Sequence, residues 1–213
     1  MTDEQYVVDA RNEMFRGIEV WRTHANWRQD FHNGEYQRWA REFPHGDFSL
    51  GNFGPMARTL RAWQAPRPIT DATIRERYAN VISELNGAWK QSIEPVLGED
   101  ISTVRWEQIE AFTDVVSQIK PGRKPSAVFT SKFCHFLVPS VFPVVDNAAL
   151  GLGTKPYRES FRAVQDIWVA TPQLLREQLT DALRDQILLR GGPLYDAYPF
   201  ANKIVELRLI GRR

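Results

Sequence analysis

The chain has 213 residues, 43% apolar and 25% charged, with a net charge of +1 at neutral pH. That size fits one domain or two closely packed lobes and hides roughly 70% of the unfolded surface. The near-zero charge balance excludes a globally basic nucleic-acid or membrane binder. The single cysteine, Cys134, excludes internal disulfides and cysteine-rich metal centres, and four scattered histidines argue against a histidine metal cluster.

In chain order, residues 3–29 read as a helix, with Val7, Met14, Ile18, Trp21 and Ala25 at helical spacing. Asn33-Gly34 stops it, and a short helix from Tyr36 to Phe43 follows. Residues 44–55 read as a loop holding Gly46, Gly51 and Gly54 with Phe48 and Phe53. Such phenylalanines more often anchor a loop than wedge into a base stack. Pro55 suits the first turn of a helix to about Trp63. Ala65-Pro66-Arg67-Pro68 then marks a possible lobe boundary near residues 65–69. Thr70 or Asp71 caps a long helix carrying Ile74, Tyr78, Ile82, Leu85 and Trp89 on one side, ended by Pro95 and Gly98. Ser102 or Thr103 opens another, with Trp106, Ile109, Phe112 and Val116 inward, broken at Pro121-Gly122.

Residues 126–138 form the next predicted helix. Beyond it come helices over Tyr157–Val169, from Thr171-Pro172 to about Leu189, and from Pro199 to Gly211, with a break at Gly191-Gly192-Pro193. No alternating strand and no internal repeat stands out. The predicted class is all-α, a single domain over residues 1–213. No run reaches the length of a membrane span, and the acidic N-terminus lacks an apolar leader core, so a cytoplasmic protein with no membrane contact is expected.

Local charge is less even than the total. Between Asp114 and Asp146 there is no acidic residue, yet Lys120, Arg123, Lys124 and Lys132 all lie there. The tail carries Lys203, Arg208, Arg212 and Arg213 against Glu206 alone. Both stretches read either as solvated faces or as phosphate contacts.

The stretch Ser131–Leu150 concentrates the chemistry. On a helical wheel Phe129, Phe133, Phe136 and Leu137 share one apolar face. Lys132 sits at its border, His135 one step toward the polar side, and Cys134 points away from Lys132. A border lysine either snorkels into water or is partly desolvated, which lowers its pKa and favours a nucleophilic amine. Pro139 ends the helix. Phe142-Pro143-Val144-Val145 should cross the core, and Asp146 precedes a helix start at Asn147, where it could cap backbone amides. Lys132 and Asp146 stand 14 positions apart and would form an acid–base or electrostatic pair.

The lysine on a helix, followed by the apolar Phe142-Pro143-Val144-Val145-Asp146 run, resembles the helix-hairpin-helix DNA glycosylases, most closely the 8-oxoguanine glycosylase branch. The chain departs from that family in two ways. Pro121-Gly122-Arg123-Lys124-Pro125 replaces the glycine-rich hairpin, and the lysine-to-aspartate spacing is about one helical turn shorter. The resemblance implies a multi-helix, two-lobed glycosylase-like architecture. It also implies base excision from double-stranded DNA bearing a damaged or modified base, with a possible abasic-site lyase step. Lys132 would be the Schiff-base nucleophile and Asp146 its electrostatic partner. Arg123, Lys124 and His135 would contact DNA, and Phe53, Trp106 and Phe200 are candidates for the base pocket. No metal, cofactor or protein partner is implied. The alternative is a non-catalytic helical module binding DNA or a partner, including an accessory protein of a bacterial defence locus.

Overall fold

The apolar spacing folds as helix. The computed structural model describes residues 3–24, 27–42, 46–146, 150–152, 155–190 and 192–213. Among these are ten α-helices and no strand: α1 (Asp3–Thr23), α2 (Asn33–Glu42), α3 (Phe53–Ala62), α4 (Asp71–Asn80), α5 (Ile82–Ala88), α6 (Trp106–Ser117), α7 (Ala127–Leu137), α8 (Tyr157–Val169), α9 (Gln173–Leu188) and α10 (Phe200–Gly211). None is long and apolar enough to cross a membrane. One apolar cluster, from Ala10 to Ile210, includes residues from both sides of the 65–69 turn.

Several predicted boundaries move. Asn33-Gly34, expected as a break, opens α2, and α3 starts at Phe53 inside the expected 44–55 loop. The first helix ends at Thr23 rather than near residue 29, and Phe31 and His32 take left-handed φ values of 53° and 67°. The long helix expected from Asp71 breaks at Val81 and continues as α5, a π-helical turn over Trp89–Ile93 and a 3₁₀ turn over Glu94–Val96. Pro95 has no amide hydrogen and its ring opposes a regular ladder there. Ser102 and Thr103 do not open α6. The Ser102 hydroxyl and amide both donate to the Asp100 carboxylate, and the helix starts at Trp106, where Gln108 Oε1 accepts from the Arg105 amide at 2.8 Å. Asn147, Ala25 and Gly191 lie outside the described residues.

The glycine-rich loop anchors its aromatics. Phe48 packs on Trp89 and Phe112 with ring centroids 5.6 and 5.9 Å apart, and Phe53 packs on Tyr78 at 4.8 Å. Gly46 adopts φ 76°, and a Cβ there would meet Trp89 Nε1 at 2.5 Å.

Two glycines let α1 lie against α10. A Cβ on Gly17 would run into the Leu207 carbonyl, and one on Gly211 into the Glu13 carbonyl. This approach seats Lys203 and Arg208 of the basic tail inside the protein, while Arg212 and Arg213 stay exposed. Arg208, 1% exposed, donates to Glu13 Oε2 at 3.0 Å and to Thr171 Oγ1 at 2.9 Å, and Arg212 donates to Glu13 Oε1 at 2.7 Å. Lys203 is equally buried. Lys203 and Arg208 are therefore internal pairs with Glu206 and Glu13, not part of a solvated phosphate-binding face. Because the obstacle at Gly17 is backbone, Gly17→Val should destabilise by about 3 kcal/mol, read as a lower urea midpoint.

Candidate active site

Ser126 caps α7 by accepting from the Phe129 amide at 3.3 Å. Every residue from Phe129 to Leu137 is buried, so the wheel's polar side does not exist. A helix enclosed on all sides belongs in the core, and this puts Lys132 inside with it.

The crossing segment is fastened to α7 and α8 by three hydrogen bonds. His135 Nδ1 meets the Phe142 carbonyl at 2.6 Å, and the Val145 amide donates to Ser131 Oγ at 3.0 Å. Tyr157 Oη donates to the Pro143 carbonyl at 3.0 Å. Phe142 and Val145 are wholly buried, as expected for a run that traverses the core. The bonds deliver Asp146 to the lysine: Lys132 Nζ lies 3.4 Å from Asp146 Oδ2. The Lys132 side chain is 8% exposed and that of Asp146 33%, so the carboxylate reaches solvent more than the amine does. The Asp146 carbonyl accepts from the Leu150 amide at 3.1 Å. The predicted cap on residues 147–149 lies outside the described residues.

The shorter bond of Lys132 goes elsewhere, to the Trp63 carbonyl at 2.8 Å. The chain leaves α3 in a Schellman turn: the Gln64 amide donates to Arg61 and the Ala65 amide to Leu60. Gln64 occupies the left-handed position with φ 58°, where glycine is usual, at a cost of about 1 kcal/mol. Lys120 Nζ holds the Ala65 carbonyl at 3.0 Å. Two lysines thus hold carbonyls just beyond the C-terminal end of α3, where the helix dipole favours cations.

Burial lowers the Lys132 pKa below 10.5, while Asp146, by charge and hydrogen bond, and the Glu206 charge oppose that shift. The result is an amine more readily neutral than a surface lysine. Burial, with a smaller contribution from Lys132, also lowers Lys120. Burial holds the Cys134 thiol well up, and it is packed, as expected.

The other predicted residues divide. Arg123 and Lys124 are exposed in the turn before α7. His135 is not near the surface: it is 2% exposed, with Nε2 on the Tyr36 hydroxyl at 2.8 Å and Nδ1 on the Phe142 carbonyl. Burial, chiefly, and the nearby Lys203 push its pKa down to about 3. A neutral ring with both nitrogens occupied cannot grip a phosphate, so its role is to hold the crossing segment on α7.

The three aromatics proposed for a base pocket pack elsewhere. Phe53 lies on Tyr78, Trp106 on Tyr157 and Phe161, and Phe200 on Tyr198 beneath the Arg184 guanidinium. The residue that the amine does hold is Trp63, through its backbone carbonyl; its indole is partly exposed, with its ring centroid 4.6 Å from His32, 5.5 Å from Trp39 and 5.1 Å from Phe136. A contact made by a carbonyl 69 positions away leaves no signal in residue type or spacing.

A second buried lysine adjoins this cluster. Lys203 Nζ pairs with Glu206, lies 4.6 Å from the Trp21 ring centroid, and sits 3.5 Å from His32 Nδ1. Among the described residues no three His, Cys, Asp or Glu side chains gather as a metal ion would require. Comparison with protein-family models, curated proteins and solved structures finds no match.

Proposed function

We propose that the chain is a DNA base-excision glycosylase with abasic-site lyase activity, acting on double-stranded DNA that carries a damaged or modified base. The observation that carries this reading is the buried Lys132 amine, 3.4 Å from the partly exposed Asp146 carboxylate. The glycosylase-like Phe142–Asp146 run supports it from the sequence side.

In this mechanism the target nucleotide leaves the stack and enters beside Lys132. Asp146 faces the positive charge that grows on the sugar as the glycosidic bond weakens. Neutral Lys132 Nζ forms a bond to C1′ as the glycosidic bond breaks, and the base departs with the bonding electron pair and one of the two protons then on Nζ. The Nζ lone pair opens the sugar ring, O4′ takes a proton from solvent, and C1′=Nζ is left as an iminium that keeps the other proton. Loss of a C2′ proton then expels the 3′ phosphate and cuts the strand. Arg123 and Lys124, exposed beside α7, would neutralise phosphates.

Borohydride reduction in the presence of a duplex with an abasic site tests the reading. Wild type should be trapped as a covalent adduct and Lys132→Gln should not, while circular dichroism shows the variant folded. A folded wild type that forms no adduct and releases no base overturns it.

One observation favours a second reading, a helical binding module without chemistry. The Trp63 bond at 2.8 Å is shorter than the Asp146 contact at 3.4 Å, so Lys132 could serve as a pin for the end of α3. In that case undamaged duplex binds in a salt-dependent way, and Lys132→Gln lowers stability without changing any adduct.

A further inference from the structure

We infer that Trp63 and Gln64 form the wall of the Lys132 site that reads the base, taking an extrahelical nucleobase with a hydrogen-bond donor and acceptor adjacent on one edge. This rests on the glycosylase reading and names what recognises its substrate.

Position comes first. The Trp63 and Ala65 carbonyls are held by the Lys132 and Lys120 ammonium groups at 2.8 and 3.0 Å. Gln64 lies between them, so its backbone is fastened on both sides next to the amine. Its side chain is exposed.

Conformation is the second observation. Among the described residues three non-glycines have positive φ: Phe31, His32 and Gln64. His32 packs its ring on Trp63 at 4.6 Å, and Gln64 follows Trp63 in the chain. Left-handed backbone is therefore gathered around one indole. At Gln64 a glycine would close the same Schellman turn with less strain. A side chain kept where glycine fits better points to use of that side chain.

Chemistry is the third. Trp39, Phe136 and His32 brace the Trp63 indole on several sides, yet it remains partly exposed. A rigid indole face stacks any base without discriminating between them. Discrimination needs directional groups, and a carboxamide offers a donor and an acceptor side by side, the pattern a base edge complements. Gln64 Oε1 accepts from Arg67 Nη1 at 3.2 Å, an exposed bond that a base edge can replace.

The test compares borohydride-trapping rates on two kinds of duplex, one with an abasic site and a panel each with a single oxidised, deaminated or alkylated purine. Abasic DNA offers the sugar without a base to read. Gln64→Gly should lower the ratio of base-bearing to abasic rates at least about tenfold, while raising Tm by about 2–4 °C. Trp63→Leu should lower the same ratio by about tenfold. An unchanged ratio in Gln64→Gly, or an equal loss on both substrates, overturns the assignment. So does a wild type that reacts with abasic DNA and with no base-bearing duplex, since its site would then take a sugar aldehyde alone. A wild type that forms no adduct with abasic DNA and releases no base from any duplex fails the glycosylase reading itself, a separate result.

Discussion

Asp146→Asn is expected to slow adduct formation on abasic DNA by about 10²–10³-fold while moving the pH at which the rate levels off to a lower value. Attack requires the neutral amine, so the rate should climb with pH and flatten above the pKa of Lys132 in the folded protein. Burial places that pKa below 10.5, and the inflection should follow. The Asp146 carboxylate opposes burial by favouring the ammonium. Removing it leaves burial opposed by the Glu206 charge alone, so the inflection must fall further. The variant thus holds more neutral lysine at pH 7 and still reacts more slowly, because the cationic iminium that forms at C1′ has lost its counter-charge. A merely structural aspartate would lower the rate without shifting the profile. An inflection that rises, or stays in place, would show that the two groups are not electrostatically coupled.

Stability should follow the same proton. The folded pKa of Lys132 lies below the unfolded value, so between the two the unfolded chain binds the extra proton. Stability therefore rises with pH across that window. Lys132→Gln removes this dependence and keeps a donor for the Trp63 carbonyl.

Lys132 and Asp146 were legible because the signals that place them are local. The wheel put a lysine among phenylalanines, and the Pro-bounded apolar run had to cross the core and end at a carboxylate. The structure brings the two within 3.4 Å. His135 was misread for the same local reason, since a wheel drawn on one helix cannot know that α2 and the crossing segment enclose its polar side. Trp63, Gln64 and Lys120 were invisible as a group, because what unites them is a backbone turn and carbonyls that carry no residue identity. The basic tail misled similarly. Its charges read as a surface until Gly17 and Gly211 allow α1 close enough for Glu13 to take Arg208 and Arg212. The all-helical class was legible throughout, because 3.6-residue periodicity survives any particular packing. The ends of helices were less so: Val81 and the 27–32 turn are decided by tertiary contacts.

Acidification from pH 6.5 to 5 should lower stability steeply, before most carboxylates titrate. His135 has a folded pKa of about 3 against 6.5 unfolded. Above pH 6.5 both states are neutral and the histidine contributes no pH dependence. As pH falls below 6.5 the unfolded chain takes up a proton that the folded chain refuses, and the loss grows by about 1.4 kcal/mol per pH unit. It levels off near pH 3, after a total on the order of 5 kcal/mol, a large share of the stability of an ordinary domain. The refusal is built in: the ring is enclosed, Nδ1 meets the Phe142 carbonyl, Nε2 meets the Tyr36 hydroxyl, and the Lys203 charge is nearby.

His32 acts in the same direction, held well below 6.5 by burial first and by Lys203, His135 and Arg28 after it. Glu35, whose Oε2 lies 3.8 Å from His32 Nε2, acts oppositely. Burial raises its pKa, so the folded state takes its proton earlier and recovers part of the loss at lower pH. Urea midpoints measured every half pH unit should therefore drop across 6.5–5, and His135→Gln should flatten the slope there even though it lowers stability at pH 7. An equal slope in His135→Gln and wild type would mean that the buried imidazole is protonated in the fold. A charged ring would still donate from Nδ1 to the Phe142 carbonyl, but Nε2 would donate to the Tyr36 hydroxyl instead of accepting from it.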